Sequence, residues 1–332
     1  MFEVEKVSCP LCGSGESEGF LKDVPELYVG TGHLFDITRC CRCGFCYTNP
    51  RPCKKDIGYF YPDTAGYYSN KSDVSEIEGR FKGVVGFCKK FVLSRAFGYR
   101  HILPALFWFP SFLVRPFAFF GDADIPEYRD GGRLLEVGCS TGVFLKKMAD
   151  LGWSVVGVEM NATAAAFARE ELGLQDIRTG FFEDCSFGKT LFHVAKASMV
   201  LEHVYEPRGF VQKVHRALVS GGKFIFSVPD IKGLEIAWYG RHAYCLHVPQ
   251  HLNHFSVKTI TKLLNEEGFE VERIRHHSFD RDMVASANYA GRVTLYNILR
   301  FPLVRKLLVQ PFVWFAAFLG KTSRMTVYAR KR

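Results

Sequence analysis

The sequence predicts an α/β fold built on a doubly wound sheet, preceded by a cysteine-rich module. Three observations carry this. Residues 133–159 read RLLEVGCSTGVFLKKMADLGWSVVGVE: a short apolar strand, a glycine turn, a helix and a second strand ending on a carboxylate. Strand-like and helical runs keep alternating to residue 276, the pattern of βα units stacked on a parallel sheet. Two C-x2-C-G turns, Cys9-Pro10-Leu11-Cys12-Gly13 and Cys40-Cys41-Arg42-Cys43-Gly44, stand within the first 50 residues.

Taken in chain order, each C-x2-C-G turn can offer two thiolates to one tetrahedral zinc, its glycine permitting the tight knuckle. Cys9, Cys12, Cys40 and Cys43 are the chosen ligands. Cys41 could replace Cys40 in a shifted register, and Cys46 is spare. The 27 residues between Cys12 and Cys40 exceed a finger loop and fit a ribbon with an inserted hairpin. A redox pair is the competing reading, but two separate pairs favour one closed, structural Zn2+ site. A polar linker over 59–78, a helical segment over 79–120 and a Pro-containing linker at 122–132 then lead into the α/β domain. The expected plan is therefore a ribbon at 1–50, linker and helices at 51–130, and an α/β domain at 131–332.

In that domain, Leu134-Leu135-Glu136-Val137 is short and apolar enough for a buried parallel strand, and the turn from Gly138 through Cys139 and Ser140 to Gly142 opens a helix near Val143. Gly138 and Gly142 let the backbone approach a ligand. From Glu136 to Glu159 is 23 residues, against the roughly 20 that separate a glycine turn from a ribose-binding acid. Glu159, with Met160 after it, therefore sits where a ribose diol is held. A dinucleotide site wants G-x-G-x-x-G, and Ser140 occupies the place of the second glycine. A carboxylate at Glu136 would also repel a pyrophosphate. A cofactor with an amino group, a sulfonium and no phosphate suits the site better, which is S-adenosylmethionine. The bland alternative is an ordinary glycine-rich turn of a doubly wound fold.

This segment resembles motif I of the class I methyltransferases, and the resemblance runs over about 133–279 and again through the last strand. It implies a Rossmann-like doubly wound sheet of seven strands. In order come a third strand at 175–179, then Gly180-Phe181-Phe182-Glu183-Asp184, where Phe182 and Glu183 take the family's adenine contact. A fourth strand at 192–198 follows, whose end places Ser198 and Met199 beside the cofactor. After it come the LEHV run at 201–204, a helix from Pro207, a turn at 220–222 and a strand over 223–228 ending at Pro229. The sixth strand is expected at 269–276 and the last at 324–330, leaving 280–322 as an insertion with amphipathic helices. Two departures stand out: Ser140 replaces a glycine, and His193 replaces an aspartate early in the fourth strand.

Methyl transfer asks mainly for alignment, with the acceptor about 3 Å from the methyl carbon. A hydroxyl acceptor also benefits from a base near neutral pH. The loop RHAYCLHVPQHLNHFS supplies His242, His247, His251 and His254, just before an N-cap at Ser256. His251 and His254 are the chosen bases, with His203 of LEHV as the other candidate; each also reads as a structural histidine. H-x3-H-x2-H could form a second metal site, but no cysteine or carboxylate stands beside it in sequence.

Composition bounds the rest. The 332 residues are 48% apolar, enough for a full core, and the net charge is +9. The charged N-terminus does not read as an export signal, and 11 cysteines, an odd number, point to a reducing cytoplasm. Residues 81–120 hold six Lys or Arg and no acid, and 292–332 hold nine and no acid, leaving 28 basic against 34 acidic elsewhere. Both stretches are aromatic, with Trp108 in the first and FPLVRKLLVQPFVWFAAFLG at 301–320 in the second. Basic residues flanking Phe, Trp and Leu suit an interfacial helix on an anionic membrane. Prolines and charges break both as spans. Helices packed on the sheet are the alternative, and nucleic-acid binding is the third reading. The expected activity is S-adenosylmethionine-dependent methylation of a small or lipid-linked acceptor of sugar or phenol type. An RNA base methyltransferase is the runner-up, disfavoured because 198–201 lacks an Asn-Pro-Pro-aromatic segment. A non-catalytic scaffold is the third possibility.

Overall fold

The computed structural model describes residues 2–61, 83–103 and 125–332. Expectations for 62–82 and 104–124, including the aromatic run around Trp108, fall outside the described residues. The chain divides into two compact units: residues 1–62, 197–216 and 226–332 form one, and 63–196 with 217–225 form the other.

The N-terminal strands are β1 (Val4–Glu5), β2 (Ser17–Pro25), β3 (Leu34–Cys40), β4 (Cys46–Thr48) and β5 (Arg51–Pro52). β2, β3 and β4 are successively antiparallel, and β1 pairs with β5. The second unit contains helix α1 (Gly83–Ala96), β6 (Arg133–Val137), α2 (Val143–Asp150), β7 (Ser154–Glu159), α3 (Ala162–Glu170), β8 (Ile177–Thr179) and most of β9 (Phe192–Ser198). β6 is buried from Leu134 onward, as a parallel strand covered on both faces must be. β6, β7 and β8 run parallel.

The chain continues through α4 (Pro207–Ala217), β10 (Leu218–Pro229), α5 (Leu234–Tyr239), β11 (Asn253–His254), α6 (Val257–Glu266), β12 (Phe269–His276), α7 (Arg281–Tyr289), α8 (Val293–Arg300), α9 (Pro302–Phe318) and β13 (Arg324–Lys331). The large sheet has seven strands in the order β12-β13-β10-β9-β6-β7-β8, with β12 and β13 antiparallel. Strand order reverses between β6 and β9, which marks the switch point at which such sheets bind ligands beyond their carboxyl ends. The turn expected at 220–222 is absorbed into the single strand β10, Gly221 taking its positive φ of 71° inside it. At α6 the sequence reading holds to the residue: Ser256 caps the Thr259 N–H and Thr259 returns the bond, while Ile260, Leu263 and Leu264 fill one buried face.

β11 pairs with β4, so the ribbon's sheet has four strands and takes its edge strand from residues 253–254. The same unit's core joins Phe35, Ile37 and Phe60 to Ile236, Leu246, Met283 and Val313. The insertion is thus part of that core on one side. Two bidentate ion pairs, Arg305 with Asp280 and Arg324 with Asp282, fix α7 and the start of α9.

In the second unit, Gly157 on β7 is packed so closely that an added Cβ would lie 2.6 Å from Ile177 Cδ1 and 2.7 Å from both Cys139 Sγ and Leu145 Cδ1. Gly157→Ala should cost about 1–3 kcal/mol by overpacking. Urea denaturation reads this, and an unchanged midpoint would mean the layers relax freely.

Candidate functional site

The glycine turn follows directly from β6. Gly138 at φ 69° and Cys139 both donate their N–H to Val158 O, at 2.8 and 3.1 Å, which locks the turn onto the end of β7. Ser140 adopts φ 51°, in the left-handed region that glycine occupies without penalty. The substitution therefore keeps the backbone path that a glycine would give. Gly142, at φ 78°, starts α2, and an added Cβ there would meet Leu174 Cδ1 at 2.7 Å.

Glu159 ends β7 as a buried carboxylate. Its Oε2 accepts the Ser140 N–H and its Oε1 the Asn161 N–H, each at 2.8 Å, while the Asn161 side chain caps α3 by accepting the Ala164 N–H. One side chain thus ties the glycine turn to the next helix. A carboxylate has about four acceptor positions, so each oxygen keeps one for a ribose hydroxyl. Beside it Met160 is 57% exposed, an apolar side chain left uncovered at the strand's end.

Three expectations need revision or refinement. Glu136 does not present a free negative charge to a ligand. It is buried and paired with Lys196 Nζ at 2.8 Å, and that ammonium also lies 3.9 Å from the Phe144 ring centroid. Lys196 offsets the charge, so Glu136 does not by itself repel a pyrophosphate. Phe182 is buried near Phe187, and it is Phe181 and Glu183 that lie on the surface. His193, the departure in β9, accepts the Arg133 N–H on Nδ1 at 2.9 Å, so the aspartate's replacement joins β9 to the start of β6. Burial lowers its pKa, keeping the ring in the neutral form that can accept.

Ser198 ends β9, and Met199 follows with φ 55°, its N–H on Ser227 O. In the same unit, Cys9, Cys12, Cys40 and Cys43 place their sulfurs within 4.8 Å of one another. Cys9 and Cys43 are 3.5 Å apart and Cys12 and Cys40 3.6 Å, and all four are free thiols. Bonds of ~2.3 Å to a tetrahedral zinc give sulfur–sulfur edges of roughly 3.8 Å, so the set fits the ion. Cys41 is exposed and outside the cluster.

The candidate bases separate. His203 and His251 meet edge to face, with ring centroids 4.7 Å apart. His254 stands in β11, its Nε2 3.1 Å from Thr48 Oγ1. That hydroxyl gives its one proton to His251 O at 2.8 Å, so His254 must be the donor and its Nε2 is not a base. Burial lowers His203 to about 4 and His254 to about 3, and His251 well below its usual value. A general base works best near the ambient pH, and burial has moved these rings away from it. Glu202, beside His203, is pushed up to about 8 by burial.

A methyltransferase-domain family matches residues 110–274. Over 146 residues the chain is 30% identical to a probable S-adenosylmethionine-dependent methyltransferase of Mycolicibacterium smegmatis, covering 44% of this chain and 55% of that protein. A ubiquinone biosynthesis O-methyltransferase of Ruegeria pomeroyi is 34% identical over 173 residues, covering 48% of this chain and 69% of the relative. The chain belongs to the class I S-adenosylmethionine-dependent methyltransferases. It spans only 38% of a third relative, the mitochondrial ubiquinone biosynthesis O-methyltransferase of Schizosaccharomyces pombe. Methyltransferases of this class take S-adenosylmethionine as methyl donor, and the turn from Gly138 to Gly142 with Glu159 has room and acceptors for such a ligand.

Sequence reasoning missed Lys196, Gly157 and Glu202. Lys196 had a legible signal: a lone lysine inside the apolar run of β9 demands a buried partner.

Proposed function

We propose that this methyltransferase transfers a methyl group to the hydroxyl of a small or lipid-linked acceptor of phenol type, at a membrane surface, with a structural zinc in its N-terminal ribbon. The observation that carries the cofactor half is Glu159, buried, held on both oxygens by backbone N–H groups, and still able to accept from a ribose diol. The bound donor supplies an electrophilic methyl on a sulfonium. This chain's residues bind and orient it: Gly138 and Gly142 open the backbone, Glu159 holds the ribose, and Met160 offers apolar cover. The phenol class rests on the names of the two ubiquinone biosynthesis relatives.

Glu159→Ala removes one or two charge-assisted bonds at ~1.5–3 kcal/mol each, so donor affinity should fall roughly tenfold or more. Calorimetry with the demethylated product reads it, and unchanged affinity would remove Glu159 from the ribose. Incubation with methyl-labelled donor and matched catechol, phenol and sugar acceptors tests the other half, since label on the sugars alone would replace the phenol.

The membrane half rests on α8 and α9. Leu308, Phe315 and Phe318 are 66%, 62% and 83% exposed, and Val293, Phe301, Leu303 and Trp314 are exposed too, while Val309, Val313 and Ala316 form the buried face. Arg300, Arg305 and Lys306 lie among them. Among the described residues no single helix is long and apolar enough to cross a membrane; α8 and α9 meet those criteria only as a pair bent by 70°. Such a surface lies on a bilayer and inserts its rings. The protein should sediment with anionic liposomes, less so as salt rises, since each nearby cation contributes about 1 kcal/mol over a screening length of about 10 Å at 0.1 M. Replacing Trp314 and Phe315 together by serine should weaken the binding that survives high salt and leave the melting temperature nearly unchanged. A lowered melting temperature with no liposome binding would return both helices to a packing role.

A further inference from the structure

Glu202 is fully buried, and neither carboxylate oxygen has a hydrogen-bond partner among the described residues. A buried carboxyl group without donors is costly and is retained where something else satisfies it. Its neighbours are imidazoles. Glu202, His203 and His251 each bring a potential ligand atom within 4.8 Å of the others. His203 Nδ1 lies 2.9 Å from Gln250 O, with Tyr61 Oη at 3.1 Å, and His251 Nδ1 lies 2.9 Å from Cys245 O. A backbone carbonyl can only accept, so both Nδ1 atoms carry the proton and both Nε2 atoms carry lone pairs. Donation of one ring N–H to a carbonyl is how metal-bound histidines are oriented.

The backbone holds this arrangement ready. Leu252 and Asn253 both donate their N–H to Glu202 O, at 2.8 and 3.0 Å. Asn253 Nδ2 clamps the turn through Leu201 O at 3.2 Å and Val204 O at 2.6 Å. On the same turn, Gln250 Oε1 and Asn253 Oδ1 are also buried without partners, acceptors that water on an ion could serve. Glu202 supplies the carboxylate that the histidine run lacks in sequence.

We propose that Glu202, His203 and His251 bind one divalent transition-metal ion, separate from the ribbon's, through the carboxylate and two Nε2 atoms. Two imidazoles and one carboxylate suit zinc, cobalt or iron(II) rather than magnesium or calcium, and three protein ligands leave a position open for an oxygen ligand. This site stands whether or not the phenol acceptor does.

Cobalt(II) tests it on the full chain, because thiolate-bound cobalt shows intense sulfur charge-transfer absorption and a His2Glu site shows none. Total cobalt less thiolate-bound cobalt should equal one per chain in the unaltered protein. His251→Ala, and independently Glu202→Gln, should bring that difference to zero while the thiolate signal and the circular dichroism persist. If Glu202→Gln does not fold, His251→Ala and the unaltered protein still decide. A difference of zero at saturating cobalt overturns the proposal, as does a sulfur-free equivalent that His251→Ala leaves in place.

Discussion

Serine at Cys12 or at Cys43 should release the ribbon's zinc and unfold far more than the ribbon. In small thiolate modules the binding free energy of zinc is folding free energy, about 10–16 kcal/mol at neutral pH. One lost ligand removes a large part of it. Here the consequence spreads, because β4 carries β11 at its edge and the ribbon's Phe35, Ile37 and Phe60 share a core with Ile236, Leu246 and Met283. Metal analysis should show one thiolate-bound zinc lost per chain. Hydrogen exchange should show protection falling in β2–β4 and at Asn253–His254 together. A metal-free variant with native exchange throughout would show that the four cysteines are only packed thiols.

Lys196→Met should destabilise the second unit by about 3–5 kcal/mol, the usual cost of removing one partner from a buried ion pair. Both side chains are buried, and the pair sits inside the sheet at 2.8 Å. The methionine keeps the apolar stem over Phe144 and removes the ammonium, so the loss is electrostatic. Lys196→Met combined with Glu136→Leu should recover most of it, since replacing both partners of a buried pair by apolar groups is often neutral or stabilising. Urea midpoints of the two variants decide. A double variant as unstable as the single one would mean that the loss comes from packing around residue 196 and not from an unpaired Glu136 charge.

What the sequence disclosed and what it hid divide along physical lines. The β6 to β7 segment, the cap at Ser256 and the sixth and last strands follow from local rules: short apolar runs, a capping hydroxyl, a glycine turn. The four cysteines that meet in one cluster follow from spacing alone. Pairings between distant residues were not legible. Nothing local links Glu136 to Lys196, or shows that 253–254 would complete the ribbon's sheet. Phe181 and Phe182 are adjacent aromatics, and only tertiary packing, with Phe187 beside Phe182, decides which one turns inward. The histidine run was read as a source of base, yet burial and the Thr48 contact make His254 structural. Glu202 was passed over inside LEHV because its significance lies in what it lacks: a donor.

On the reading proposed above, the turn after β6 and the carboxylate at the end of β7 together hold S-adenosylmethionine. Calorimetric titration of the purified chain with the demethylated product of that donor, and separately with NAD, tests it most directly. One site per chain in the micromolar range is expected for the former, worth about 8 kcal/mol, and no measurable heat for the latter. Tight binding of NAD with none of the methyl-donor product would contradict it.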